Sequence, residues 1–154
     1  MTNVYDLITE IKSFLRANPI VNTVTFGDIS EVDLNKTTIF PLTHFVLGNT
    51  TITNNTLQIT ISVMFLDIVD YTKGFNSTDA GDRQDDTNIV DVYNTQLQLA
   101  NDLISHLKRG DLYRQEYQLI GNPVCEPFRD RFENELAGWA VDLNIEVPNN
   151  FSVC

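Results

Sequence analysis

No apolar run in this chain approaches the roughly 20 residues that a membrane-spanning helix needs; the longest stretches are a handful of residues. No basic, apolar, small-residue series opens the sequence, so no secretion signal is expected. Cysteine is nearly absent: Cys125 and Cys154 are the only two, which predicts free thiols and a reducing compartment. Histidine is as scarce, with only His44 and His106, and the lack of paired Cys and His ligands excludes a zinc site. Basic charge is the other shortage. Ten Lys and Arg stand against twenty-one Asp and Glu, a net charge of −11. A surface of that sign repels nucleic acid and anionic membranes alike.

What is present describes a globular domain. Hydrophobic residues make up 42% of the 154 and charged residues 20%, too apolar for a disordered chain and within the size of one domain. No repeat, low-complexity tract or linker divides it.

Helical spacing opens the chain. Val4, Leu7, Ile8, Ile11, Phe14 and Leu15 recur on one face, predicting a helix over about 2–17 with Thr2 or Asn3 as N-cap and Asn18-Pro19 as its end. Val21–Phe26 is a β-branched run stopped by Gly27-Asp28, and residues 28–37 are polar and turn-like. Ile39–Leu47 predicts a strand whose first part Pro41 pushes to a sheet edge or a bulge. Gly48-Asn49-Thr50 and Asn54-Asn55 carry turn chemistry. From Leu57 to Val69 apolar residues alternate with Gln58, Thr60 and Ser62, and the alternate face turns apolar from Met64 onward. One sheet face is therefore expected to be covered throughout and the other only at one end. Such a strand spans about 43 Å at ~3.3 Å per residue, against a body roughly 40 Å across, so it is expected to bend or to project.

Residues 70–88 have no period and almost no apolar content, which predicts a long acidic loop of functional or disordered character. A second helix is predicted over 88–109, apolar at Ile89, Val92, Tyr93, Gln96, Leu97, Ala100, Leu103, Ile104 and Leu107, capped by Asp86 or Thr87 and ended by Gly110. Tyr113–Val124 is strand-like but irregular, ended by Gly121-Asn122-Pro123 or by Glu126-Pro127. Trp139–Val147 alternates cleanly. The order predicts an α+β fold, a mainly antiparallel sheet packed with two main helices on one face.

Catalytic chemistry finds little support. The phosphate-binding glycine loops and the nucleophile-elbow pattern are missing. His44 and His106 are expected to be hydrogen-bonded structural residues. Cys125 has no base or electropositive surroundings in the sequence to activate it. Seven aspartates between Asp67 and Asp91 stand against Lys73 and Arg83, yet they lack the ligand order of a calcium loop and are expected to be solvated. No metal, cofactor or catalytic residue is assigned. Charge placement suggests an interface instead. Lys108, Arg109, Arg114, Arg129 and Arg131 are five of the ten cations. An acidic loop on one subunit facing a basic stretch on the next would close head-to-tail contacts into a ring. The candidate interface residues are Asp79, Asp82, Arg83, Asp85, Asp86, Arg129 and Arg131.

Two blocks carry a family resemblance. Residues 122–139 read Asn-Pro-Val-Cys-Glu-Pro-Phe-Arg-Asp-Arg-Phe-Glu-Asn-Glu-Leu-Ala-Gly-Trp, followed by an alternating strand ending Val147-Pro148-Asn149. The earlier block runs Phe65-Leu66-Asp67-Ile68-Val69-Asp70 through the acidic segment to Asn88-Ile89-Val90-Asp91-Val92-Tyr93-Asn94. Together they resemble small neck and tail-completion (tail terminator-like) proteins of tailed bacteriophages, over roughly residues 1–150 in order of elements. The resemblance implies a non-enzymatic virion protein, made in the host cytoplasm. It would form a homo-oligomeric ring, hexameric or alternatively dodecameric, between the head-to-tail connector and the tail. DNA would pass through its bore without specific binding, and no membrane is involved. Two other readings follow from the residues: an acidic adaptor that takes a basic protein through its loop and a strand edge, and a metal-dependent enzyme using the aspartate cluster.

Overall fold

The computed structural model describes residues 4–32, 37–69, 89–109, 117–131 and 135–149. Among these the chain forms α1 (Val4–Ala17), β1 (Thr23–Phe26), β2 (Leu42–Ile52), β3 (Thr56–Ile68), α2 (Ile89–Arg109), β4 (Gln118–Leu119), β5 (Cys125–Arg131) and β6 (Glu135–Pro148). The six strands make one sheet in the order β1-β2-β3-β6-β4, with β5 also paired to β6. Only β1 and β2 run parallel; every other pair is antiparallel. The fold is α+β.

Sheet periodicity decides where the core lies. Ile59, Ile61, Val63 and Phe65 of β3 point to one face, beside Val141, Leu143 and Ile145 of β6. That face packs on Leu7, Ile11 and Leu15 of α1 and on Leu99, Leu103 and Leu107 of α2, all fully or almost fully buried. Both helices therefore sit on the same side of the sheet. Burial of a large side chain there stabilises by about 1.5–3 kcal/mol, which is why each helix docks through an i, i+4 stripe. Trp139 fixes α2 against β6: its indole N–H donates to the Tyr93 carbonyl at 2.8 Å, and the two rings meet edge to face.

The other face matches its alternation too. Leu42, Leu66 and Leu136 form a second, smaller cluster with Phe40, covered in part by Val32 and Ile39. Those last two residues belong to the polar 28–37 region and its continuation, which make two short 3-10 turns over Ile29–Glu31 and Thr37–Ile39. Asp28 caps the first by accepting from the Ser30 N–H. Beyond this end the face is open.

Several boundaries differ from the sequence expectation. β2 begins after Pro41 and runs to Ile52. The expected turn at Gly48-Asn49-Thr50 is instead an irregularity inside the strand, where the register shifts between Leu47 and Thr50. A side chain at Gly48 would approach the Thr60 carbonyl to 3.1 Å, so glycine suits the crowded backbone of a bulge. The turn falls at Asn54-Asn55, where Thr53 N–H donates to Thr56 O at 2.9 Å. β3, expected to bend or project, is the central strand. It pairs with β6 from Thr56 to Ile68 and with β2 from Leu57 to Leu66.

The C-terminal hairpin also differs. Of the expected Tyr113–Val124 strand the described residues form only Gln118–Leu119, and the strand that pairs with β6 next is Cys125–Arg131. Pro127, expected to end a strand, lies within one. An edge strand tolerates proline because the missing N–H need not bond a neighbour.

Candidate assembly surfaces

Of the candidate interface residues, Asp79, Asp82, Arg83, Asp85 and Asp86 lie outside the described residues, as does the acidic 70–88 segment as a whole. Its two roots are described and meet. Val69, after β3, and Ile89, at the start of α2, pack in one small cluster with Val92, Tyr93 and Ala137. Arg129 pairs in register with Ala137 of that cluster and is exposed. The structure thus brings Arg129 to the end of the molecule from which the acidic segment departs. Arg131 closes β5 two residues further on, its side chain outside the described set. Lys108 is at the other end of α2, where its ammonium donates to Asn122 Oδ1 at 3.1 Å.

The open half of the sheet is a second surface. Register pairs Gln58 with Glu146, Thr60 with Asn144 and Ser62 with Asp142. Each pair is joined side chain to side chain, Gln58 Nε2 donating to Glu146 at 3.3 Å and Thr60 Oγ1 to Asn144 Oδ1 at 2.9 Å, with Ser62 Oγ donating to Asp142. Cross-strand pairs of this kind each stabilise the sheet by roughly 0.2–1 kcal/mol. Glu126, in register with Ala140, adds a further carboxylate. Glu126 and Asp142 flank a shallow hollow of about 220 Å³. Among the described residues of this open half, none is Lys or Arg. The face is polar, ordered and of one sign.

A groove of about 450 Å³ runs along α2, between Asn94, Leu97, Asn101 and Ile104 on one side and Asn122, Pro123 and Cys125 on the other. Cys125 is half-buried and free, and burial pushes its thiol up from the ordinary value. That direction opposes thiolate formation. Among the described residues no three His, Cys, Asp or Glu side chains gather to hold a metal ion, and no helix is long and apolar enough to cross a membrane.

Both histidines are built into the fold. His106 Nδ1–H donates to the Asp102 carbonyl at 2.9 Å, and its ring lies 4.4 Å from that of Phe14, tying α2 to α1. His44 is fully buried. Its Nε2–H donates to the Gly27 carbonyl at 2.8 Å, so Nδ1 accepts from the Thr25 hydroxyl at 2.7 Å. Burial lowers its pKa below 6.5, outweighing the Gly27 bond and nearby Asp28, which act the other way. The unfolded chain therefore binds the His44 proton more readily than the folded one, and stability rises with pH through this range. The melting temperature is expected to fall as pH drops below about 6.5, over the interval down to the lowered folded value. Thermal melts at closely spaced pH values check this, with His44→Gln flattening the slope. An unchanged slope in that variant removes His44 as its source.

One further group reports the electrostatics of the core. Tyr117 is buried against α1, and burial with the Asp6 and Glu10 carboxylates pushes its hydroxyl up to about 12. Two buried polar side chains, Gln96 on α2 and Thr43 on β2, have no hydrogen-bond partner among the described residues, and nothing in the structure explains them.

Sequence reasoning missed a last feature. The outer side of β2 pairs with β1 only from Leu42 to Phe45. From Val46 to Ile52 every residue of β2 is exposed, Ile52 at 74%, and among the described residues no strand covers that edge. The signal for it was a shortage: residues 37–66 contain no Asp, Glu, Lys or Arg.

No protein-family model matches this sequence, and no curated protein matches it.

Proposed function

We propose that this protein is a structural ring component of a tailed bacteriophage, joining the head-to-tail connector to the tail and surrounding the DNA path. The observation that carries the reading is the open sheet face. A chain of net charge −11 sets Glu126, Asp142 and Glu146 with their polar partners on one ordered surface that has no cation among its described residues. Such a wall gives a passing polyanion nothing to bind. The sequence resemblance supports the same reading, and its most specific block, Pro127 to Trp139, includes the end of β5 and the start of β6.

In this reading subunits meet head to tail, the acidic 70–88 segment of one copy against Arg129 and Arg131 of the next, to give a hexamer or a dodecamer. Connector-side and tail proteins are the neighbours above and below. The protein acts in the virion after assembly in the host cytoplasm, without a cofactor and without catalysis. Deleting residues 74–84 is expected to block ring formation while circular dichroism and the melting curve stay close to those of the intact protein. Electron microscopy and solution mass check this. Intact rings from the deletion variant contradict the interface assignment.

The exposed β2 edge favours one second reading, a non-enzymatic adaptor that takes a partner strand. It predicts a protein that never forms rings.

A further inference from the structure

We infer that the β2 edge is a self-association site, at which two copies of this chain pair antiparallel across a two-fold axis. The contact is separate from ring closure and does not rest on the ring reading.

The Phe45 carbonyl accepts from Gly27 N–H at 3.2 Å, so Phe45 faces outward, towards β1. Alternation puts Leu47 on the same side. At the other end Thr53 N–H bonds inward to Thr56, so Ile52 and, two residues earlier, Thr50 face outward. The one-residue shift between Leu47 and Thr50 reconciles the two counts. The N–H and C=O groups of Leu47, Thr50 and Ile52 therefore line the free edge, unpaired among the described residues.

Proteins guard such edges with lysine, proline or inward charge. β5 follows the rule: Pro127 lies within it, and Arg129 and Arg131 follow that proline. β4 has only two residues. The β2 edge carries no charge and no proline, only the bulge. Its exposed apolar residues are Val46, Leu47 and Ile52, the first two at 37%.

Charge then selects the occupant. Two copies of net charge −11 repel each other across most of their surfaces, and like charges brought together cost several kcal/mol. The hairpin of β2 and β3 up to Leu66 is the long neutral stretch of the chain, so the copies approach there at the least cost. The edge itself carries no carboxylate for a basic partner to pair with. An isologous contact also needs no second complementary surface. The pairing gives the outward groups of Leu47, Thr50 and Ile52 partners and brings the exposed apolar side chains of the two copies together.

Salt separates this contact from the proposed ring contact. Screening weakens repulsion between acidic copies, so the β2 dimer tightens from about 0.05 M to about 0.5 M salt, whereas an acidic-to-basic ring contact loosens. Sedimentation of the full chain over a concentration series at both salt levels reads the difference. The native protein is expected to dimerise, more tightly at high salt. Ile52→Lys, which adds an edge guard, and Thr50→Pro, which removes an outward N–H, are expected to raise the dissociation constant by about tenfold or more. The 74–84 deletion is expected to leave the dimer intact.

A native protein that stays monomeric at high salt, or variants that dimerise like the native chain, overturns the proposal. Hydrogen exchange on the unmodified protein keeps it testable should a variant misfold. The amides of Leu47, Thr50 and Ile52 are expected to exchange more slowly in concentrated than in dilute solution, and equal rates overturn it. Rings that fail to form while the dimer persists count against the ring alone.

Discussion

Gly138→Ala is expected to leave little or no folded protein. Gly138 lies in β6 in register with Leu66. A Cβ built there falls within 3 Å of the Phe65 carbonyl carbon and the Leu66 Cα. These are backbone atoms of the central strand, paired on both sides, and cannot step aside as a side-chain end would. Relief requires β6 to part from β3 where Trp139 also anchors α2. The cost is expected to exceed about 4 kcal/mol, a large share of the ~5–15 kcal/mol that holds a domain folded. Gly121→Ala is the comparison. Gly121 has φ of +71° but nothing within 4 Å of its would-be Cβ, so the cost there is the left-handed backbone alone, roughly 1–2 kcal/mol. Urea unfolding of both variants checks the order, and a well-folded Gly138→Ala protein contradicts the close approach.

Phe45→Ala is expected to be the costliest truncation in the layer under α1. Phe45 is fully buried on the helix-facing side of β2 and meets the Phe26 ring at 5.0 Å between centroids. It lies in register between Phe26 of β1 and Val63 of β3, and a packed core of this kind does not close over a void this large. A loss of about 3–5 kcal/mol follows, a fall in melting temperature of roughly 6–20 °C for a chain of this size. Ile52→Ala, seven residues along the same strand but 74% exposed, is expected to stay within about 0.5 kcal/mol. Calorimetry on the pair checks both, and comparable losses would contradict the division of β2 into a covered and an open half.

That division marks how far the sequence was legible. Leu57–Val69 and the 88–109 helix declared themselves because each repeats one period over many residues, and both stand within a residue or two of expectation. The switch of the β3 alternate face at Met64 was visible too, and the cluster around Leu42, Leu66 and Leu136 is its structural cause. Positions governed by partner strands were not legible. Gly48-Asn49-Thr50 has turn chemistry, yet pairing with β3 absorbs it as a bulge. Glu126-Pro127 has breaker chemistry, yet an edge position admits it.

The candidate site divides in the same way. Arg129 was found by charge, and the structure adds its position beside the roots of the acidic segment. The open polar face was implicit in Gln58, Thr60 and Ser62, but only the register shows that Glu146, Asn144 and Asp142 lie opposite them. The β2 edge was hidden because neutrality over residues 37–66 does not stand out in a search for reactive groups. It becomes meaningful once β1 is seen to stop at Phe26.

Ring closure is read from the solution mass of the purified protein, measured by light scattering at several concentrations and two salt levels. A ring gives a discrete species of six copies of a 17.5 kDa chain, about 105 kDa, or of twelve, about 210 kDa. A mass that stops at one or two copies under every condition contradicts it.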